Sequence, residues 1–183
     1  MTRHHLKKEE ALILWIDVQE SLRKAIDKDN HLLDHVKILA KGADALGVPS
    51  IATTQYAKGL GPVHEELLEI LPDVPVYDKI TYSVLDDEAI REALKQTGKT
   101  QIILAGMETH ICVLSSALSL LEEGVQVFVP MEVVGSRKLA HHENGLAQIA
   151  TAGGVVTNVE TVLFQMMESA KSPAFKTIQG LIK

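Results

Sequence analysis

The chain has 183 residues and a formal net charge of −6, with 46% hydrophobic and 23% charged residues. This length suits one domain over residues 1–183, and the acidic balance disfavours a nucleic-acid partner, which requires a basic surface. No segment approaches the ~20 apolar residues of a membrane span, and the charged N-terminal segment is unlike a signal peptide. The single cysteine excludes an internal disulfide and fits a reducing compartment, so we expect a cytoplasmic protein.

Short apolar runs alternate with amphipathic stretches along the chain, and we interpret the runs as strands. Their almost continuous apolar character is typical of parallel strands that helices cover on both faces. The six predicted strands cover residues 11–17, 49–54, 74–78, 101–106, 125–130 and 154–158. The helical patterns between them cover roughly residues 30–46, 64–71, 86–97, 109–123, 137–152 and 159–170. Four glycines are predicted to end helices in a left-handed conformation: Gly47, Gly98, Gly124 and Gly153.

The repeated strand–helix order predicts an α/β fold. We expect a doubly wound, mostly parallel six-stranded sheet with helices on both faces, because such connections are right-handed crossovers. In open parallel sheets, ligands bind beyond the carboxyl ends of the strands, near the point where the strand order reverses. The candidate functional residues are therefore the reactive side chains that follow strands.

Three such side chains are Asp17, Lys79 and Cys112. Each has an ordinary structural alternative: a turn cap, a solvated lysine and a small buried side chain, respectively. Thr109 is predicted to cap the following helix, which would place Cys112 in the first helical turn. The unpaired N–H groups there, and a nearby lysine, favour a thiolate, while a carboxylate could remove the thiol proton. The combination therefore predicts a nucleophilic cysteine at the carboxyl edge of the sheet.

Several motifs then carry a family resemblance over nearly the whole chain. They are Asp-x-Gln at 17–19, TTQYAKGLGP at 53–62, the lysine at position 79, GMETHICV at 106–113 and VGSR at 134–137. The chain resembles the isochorismatase-like cysteine hydrolases, an α/β family that includes nicotinamidases and N-carbamoylsarcosine amidohydrolases. It is most similar to the branch with a KGLGP loop, which includes the isochorismatase domain-containing proteins.

The resemblance implies a catalytic triad of Asp17, Lys79 and Cys112. It also implies a cis peptide bond at Met107–Glu108, which would direct the backbone amides of Glu108 and Cys112 into an oxyanion hole. In the implied reaction Asp17 removes the thiol proton, Cys112 attacks a carbonyl carbon, and water hydrolyses the resulting thioester. Lys79 would keep Asp17 charged and help to stabilise the thiolate. The predicted function is hydrolysis of the C–N bond of a small linear amide.

The loop after the second strand separates this chain from the nicotinamidases, which carry an Asp- and His-rich metal site there. The corresponding segment here, 53–66, has no Asp-x-His pair and only one histidine, His64. Because three or four ligands cannot be assembled from it, we expect no metal, and no other cofactor. Isochorismatases that act on a vinyl ether do not need a thiol, so Cys112 favours acyl chemistry.

The substrate contacts are predicted from loop positions, and packing or loop structure is the alternative role for each. The candidates are Leu22, Gln55, Tyr56, Tyr82 and His110. We expect Gln19 to brace the loop after Asp17. The partners predicted are a small-molecule substrate and further copies of the chain in a homo-oligomer, a dimer or larger, with no membrane. Two alternatives remain open: a catalytically weak or vestigial member that acts as a binding or scaffold protein, and a thiol redox sensor.

Overall fold

The computed structural model describes residues 5–26 and 31–183. Within these residues the chain forms seven strands: β1 (Ala11–Ile16), β2 (Ser50–Gln55), β3 (Val76–Lys79), β4 (Gln101–Met107), β5 (Gln126–Pro130), β6 (Val134–Gly135) and β7 (Val155–Thr157). Six of them correspond to the predicted strands. The two-residue strand β6 was not predicted, because two residues are too few to produce an alternating or continuous apolar pattern.

The same residues form nine α-helices: α1 (Glu20–Ala25), α2 (Leu32–Leu46), α3 (Ala57–Leu60), α4 (Glu65–Ile70), α5 (Glu88–Gln96), α6 (Leu114–Glu122), α7 (Leu139–Thr151), α8 (Val159–Met167) and α9 (Phe175–Leu181). Six correspond to predicted helices, although α6 begins five residues after the predicted start at residue 109, behind a π-helical turn at Thr109–Val113. The predicted start of α2 at residue 30 lies outside the described residues. The four helix-ending glycines all have positive φ, as predicted. Among the described helices, none has the length and apolar character needed to cross a membrane.

All pairings in the seven-stranded sheet are parallel. The strand order is β3-β2-β1-β4-β5-β7, and the short β6 pairs with β4 at its carboxyl end. The order therefore reverses between β1 and β4, which lie side by side with Ile16 opposite Gly106. This is the doubly wound arrangement that the sequence predicted, with one additional short strand. The crevice for a ligand is expected where β1 and β4 end.

The core has two layers, one on each face of the sheet. Successive side chains of β1 alternate between them: Ile13 and Trp15 pack with α2, α8 and α9 on one face. Leu12 and Leu14 pack with α5, α6 and α7 on the other face. All four side chains are completely buried. Because β1 is covered on both faces, its sequence is apolar at every position instead of at every second one.

Candidate active site

Asp17 follows β1 directly and is completely buried. Its backbone has a positive φ of 54°, so the chain turns sharply as it leaves the sheet. The hydroxyl of Thr53 donates a hydrogen bond of 2.7 Å to Oδ1 of Asp17, and the Asp17 amide donates to the Thr53 carbonyl at 3.2 Å. A buried carboxylate is costly without partners, and the neighbouring strand β2 supplies one of them through Thr53.

Lys79 is the last residue of β3, and only 1% of its surface is exposed. Its ammonium group donates to three oxygens: Oδ2 of Asp17 at 2.8 Å, Oε1 of Gln55 at 2.7 Å and the Thr81 carbonyl at 3.2 Å. A lysine ammonium has three N–H donors, so this set satisfies the buried cation. The Lys79–Asp17 pair is a fully buried ion pair, which is a rare and demanding arrangement in a core.

Cys112 lies in a π-helical turn, Thr109–Val113, that connects β4 to α6. Its side chain is 6% exposed, and Sγ lies 4.0 Å from Oε1 of Gln55. Burial raises the pKa of the thiol to about 12, assisted by the nearby Asp17 carboxylate, and the Lys79 ammonium only partly opposes this. Lys79 therefore acts in the expected direction and lowers the Cys112 pKa, but burial and Asp17 outweigh it, so the net shift favours the thiol over the expected thiolate.

Asp17, Lys79 and Cys112 thus meet at the carboxyl edge of the sheet, although they are far apart in the sequence. Each comes from the end of a different strand, and these strands are neighbours or near neighbours in the order β3-β2-β1-β4. The group holds one thiol, one nearby carboxylate whose charge acts on that thiol, and one ammonium bound to that carboxylate. Such a set can supply a nucleophile, a proton acceptor and a fixed positive charge.

The turn that leads to Cys112 differs from the one predicted. No peptide bond among the described residues is cis, so the prediction of a cis bond at Met107–Glu108 is wrong. The reversal is made instead by Glu108, whose left-handed backbone has φ 58° and ψ 70°. Thr109 is not the capping residue either: it is the first residue of the π-helical turn, and its hydroxyl lies 2.9 Å from Nδ1 of His142.

The side chain of Glu108 is held by the segment that follows β5. Its carboxylate is 6% exposed, forms an ion pair of 2.9 Å with Nε of Arg137 and lies 3.4 Å from Nδ1 of His110. That same nitrogen of His110 lies 2.9 Å from the hydroxyl of Ser136, and burial lowers the His110 pKa. The VGSR motif at 134–137 therefore supports the turn before Cys112, a role that sequence reasoning did not assign to it.

The predicted substrate contacts lie in different surroundings, and their role in binding stays a prediction. Gln55 bonds directly to Lys79, as described above. Tyr56 and Tyr82 are exposed, at 50% and 61% of their surfaces. Leu22 packs against the core on the α2 side of the sheet, which is the structural alternative considered for it. The ring of His110 packs against that of His141, at 4.6 Å between centroids.

Two polar residues complete the support of the site. Gln19 is completely buried and bonds to the backbone of Gln55 and to the Gly61 carbonyl, so it ties the segment after Asp17 to the loop after β2. Thr53, which the sequence presents only as part of a motif, donates to Asp17, a role that the sequence pattern does not reveal. The signal available was a hydroxyl side chain near the end of the second predicted strand; its pairing with β1 became known only from the structure.

The described part of the chain contains no group of three or more His, Cys, Asp or Glu side chains placed to hold a metal ion. His64, the one histidine of the loop after β2, is 8% exposed and is engaged elsewhere. Its Nε2 lies 2.9 Å from a carboxylate oxygen of Glu20, and its Nδ1 accepts from the amide of Glu66 at 3.3 Å. His64 therefore serves as a cap for α4.

Comparison with known families decides the classification of this fold and site. The family model described as the isochorismatase domain matches residues 11–161, which include Asp17, Lys79 and Cys112. The chain belongs to the isochorismatase family. A relative in Phytophthora sojae, described as the secreted isochorismatase effector Isc1, is 35% identical over 171 residues, which cover 91% of this chain and 81% of that protein.

Two solved structures of YcaC proteins share the fold of this family member almost completely. YcaC from Pseudomonas aeruginosa, solved with hexane-2,5-diol and covalent acrylamide, has a TM-score of 0.93 and 30% identity, and covers 99% of this chain and 93% of its own. YcaC from Escherichia coli, described as an octameric hydrolase of unknown specificity, has a TM-score of 0.93 and 27% identity, covering 99% and 92%. These relatives support the classification of this chain as a hydrolase of the isochorismatase family.

Proposed function

We propose that the protein is a metal-independent cysteine hydrolase that cleaves the C–N bond of a small amide through a thioester on Cys112. The observation that carries this proposal is the contact of a buried thiol with the Asp17–Lys79 ion pair at the switch point of the sheet. A thiol alone is often structural, and so is an ion pair. Their convergence at the ligand-binding edge of this fold favours covalent catalysis.

The first step is attack of Sγ on the carbonyl carbon of the amide. Because burial raises the pKa of the Cys112 thiol, the thiol keeps its proton at neutral pH, so the attack requires a base. Asp17 is that base and accepts the thiol proton as the S–C bond forms. The carbonyl oxygen becomes an oxyanion, and we propose the backbone amides of Glu108 and Cys112 as its donors without the cis bond first expected there.

Collapse of the tetrahedral intermediate breaks the C–N bond. Asp17 returns its proton to the departing nitrogen, so an amine leaves and the thioester remains. Water then attacks the thioester carbon while Asp17 takes a proton from it, and the C–S bond breaks to release the acid. The proton passes back to Sγ, which restores the resting thiol. The net reaction converts an amide and water into a carboxylic acid and an amine.

Lys79 acts through its charge and its position. The ammonium lies 2.8 Å from Oδ2 of Asp17 and stabilises the carboxylate in the state that can accept a proton. It also lowers the energetic cost of negative charge on Sγ, opposing the effect of burial on the pKa of Cys112. The cation is satisfied by three oxygens and does not need to move during the reaction.

The relatives add support to the proposal. The P. aeruginosa YcaC structure contains covalent acrylamide, and acrylamide is a small amide, the class of substrate proposed here. The octameric state of E. coli YcaC supports assembly of this chain into a homo-oligomer. The P. sojae relative is described as secreted, and a cytoplasmic location for this chain therefore stays a prediction.

The redox-sensor alternative has less support than it had from the sequence. Rapid oxidation requires an accessible thiolate, whereas Cys112 is buried and its pKa is raised. The other alternative, a binding or scaffold protein with a vestigial site, has the same fold, so only an experiment distinguishes it from an active hydrolase. The decisive property is whether Cys112 becomes acylated by an amide.

The test is intact-protein mass spectrometry during incubation with a panel of small linear amides. We expect a transient thioester adduct and amine release with the unaltered protein, and neither with Cys112→Ala. Asp17→Asn should lower turnover by about 10²–10⁴-fold, because an amide side chain cannot accept the proton. The matched control is Asp44→Asn, at an exposed carboxylate on α2, which should keep full turnover. Adduct formation or turnover that persists in Cys112→Ala would overturn the proposal.

A further inference from the structure

The side chain of Gln55 lies between two members of the triad. Its Oε1 accepts a hydrogen bond of 2.7 Å from Nζ of Lys79 and lies 4.0 Å from Sγ of Cys112. Its Nε2 donates to the carbonyl of Ile80 at 3.2 Å. Gln55 is the last residue of β2, opposite Lys79 in the pairing with β3. One oxygen atom of this side chain therefore contacts both the cation and the nucleophile.

The orientation of the Gln55 amide is determined by its partners. If the oxygen and nitrogen exchanged places, the amide N–H groups would face the Lys79 ammonium, which has only donors. The oxygen would at the same time face the carbonyl of Ile80, which has only lone pairs. Both contacts would then be repulsive. The oxygen is thus fixed on the side of Lys79 and Cys112.

The backbone of Gln55 is fixed as well, by the side chain of Gln19. Oε1 of Gln19 accepts from the Gln55 amide at 2.8 Å, and Nε2 of Gln19 donates to the Gln55 carbonyl at 3.3 Å. The same Nε2 donates to the Gly61 carbonyl at 2.6 Å. Gln19 is completely buried, so water does not compete for these bonds. The glutamine two residues after Asp17 thereby holds the residue that contacts Lys79 and Cys112.

We propose that Gln55 is a positioning residue for the proposed reaction: it orients the Lys79 ammonium toward Asp17 and holds the Cys112 thiol protonated until substrate arrives. An amide oxygen does not accept a proton at neutral pH, so Gln55 directs the thiol without competing with Asp17 as the base. Its partial negative charge near Sγ also disfavours a free thiolate. This inference rests on the proposed function, and it assigns Gln55 a role other than substrate contact.

Replacing Gln55 with methionine removes the acceptor and keeps the length and approximate volume of the side chain. One N–H of Lys79 then loses its partner, and the oxygen near Sγ is gone. The charged groups that face Cys112 are unchanged: Asp17, Lys79 and Glu108. We expect a thiol that ionises more easily and a triad that is less well aligned. Gln55→Glu should act in the opposite direction on the thiol, because it adds a negative charge of the same shape.

The experiment measures alkylation of Cys112 by iodoacetamide from pH 7 to 10, without substrate. We expect Cys112 in Gln55→Met to react about tenfold faster than in the unaltered protein at each pH, which corresponds to a thiol pKa lower by about one unit. Cys112 in Gln55→Glu should react more slowly than in the unaltered protein. With an amide substrate, kcat of Gln55→Met should fall by about 10–100-fold while KM changes by less than about threefold. Gln19→Met should shift alkylation in the same direction as Gln55→Met, and the control Gln148→Met, at an exposed site on α7, should change nothing.

The outcomes separate this inference from its alternatives. A rise in KM with an unchanged alkylation profile would make Gln55 a substrate contact and overturn the positioning role. Equal alkylation rates in Gln55→Met, Gln55→Glu and the unaltered protein would also overturn it. If Gln55→Met does not fold, the Gln55→Glu and Gln19→Met profiles decide. Failure of the proposed function appears separately, as the absence of any thioester in the unaltered protein.

Discussion

Gly106 is the position at which a single methyl group would most directly disturb the site. It lies in β4 opposite Ile16 of β1, where the strand order reverses. A Cβ atom added at Gly106 would lie 2.0 Å from the carbonyl oxygen of Ile16 and 2.7 Å from its carbonyl carbon. Ordinary contacts between carbon and carbonyl oxygen are about 3.3 Å or longer, so Gly106→Ala must move β1 and β4 apart by about 1 Å.

This displacement has a cost in stability and a larger cost in activity. Overpacking a core by one methyl group costs about 1–3 kcal/mol, and backbone atoms cannot rotate away as a flexible side chain can. Asp17 follows Ile16 directly, and the turn that carries Cys112 follows β4. Separating the two strands therefore separates base and nucleophile, and a misplacement of 1 Å lowers turnover by about 10²-fold.

Two measurements check this reasoning. Chemical denaturation should give a free energy of unfolding for Gly106→Ala about 1–3 kcal/mol below that of the unaltered protein. Amide hydrolysis, measured where the variant is fully folded, should fall by about 10²-fold. The control is Gly180→Ala in α9, where an added Cβ meets nothing within 4 Å and should stabilise the helix by about 0.5–1 kcal/mol. A Gly106→Ala variant with unchanged stability and full turnover would refute the close approach of β1 and β4 at this position.

Three further predictions concern charge, pH and assembly. Lys79→Met should lower the free energy of unfolding by about 3–5 kcal/mol at pH 7, because it leaves Asp17 charged, buried and without its cation. Combining Lys79→Met with Asp17→Asn should recover part of this loss in chemical denaturation, because the buried negative charge is then removed as well. The raised pKa of Cys112 means that the folded protein retains the thiol proton at a pH where the unfolded chain releases it. The contribution of Cys112 to the free energy of unfolding is complete below about pH 8.5 and is lost as the pH rises toward 12. The free energy of unfolding should therefore fall between about pH 8 and 10, and Cys112→Ala should remove this part of the pH dependence. Light scattering coupled to gel filtration should give an assembly of at least two 20.0 kDa chains, whereas a monomer at micromolar concentration would contradict the proposed homo-oligomer.

The sequence predicted the central strands β1 and β4 well because both are buried along their whole length. Continuous apolar runs such as ALILWI in β1 occur where neither face of a strand meets water. Once the strands are placed, parallel pairing brings their carboxyl ends to one edge, and residues as distant as Asp17 and Cys112 become neighbours. The general location of the candidate site therefore follows from hydrophobic pattern and topology.

The details of the site depend on backbone geometry and burial, which one-dimensional patterns do not encode. The left-handed conformation of Glu108 is not typical of glutamate, so no propensity indicates it. The two contacts of the Gln55 oxygen require the register between β2 and β3, which apolar runs leave undetermined. The pKa of Cys112 depends on how much protein surrounds Sγ, whereas position in a helical turn suggested the opposite shift.

The backbone itself marks the site. Among the described residues, five non-glycine residues have positive φ, and three of them directly follow the adjacent strands β1, β2 and β4: Asp17 (54°), Tyr56 (45°) and Glu108 (58°). Each such conformation costs about 1–3 kcal/mol and persists only where surrounding contacts enforce it. Such contacts are present at two of these turns. Asp17 bonds to Lys79 and Thr53, and Gln19 bonds to Gln55, the residue before Tyr56. Selection for stability alone would favour glycine or asparagine at such turns. The concentration of unfavourable left-handed conformations at one edge of the sheet therefore argues that this edge carries the function.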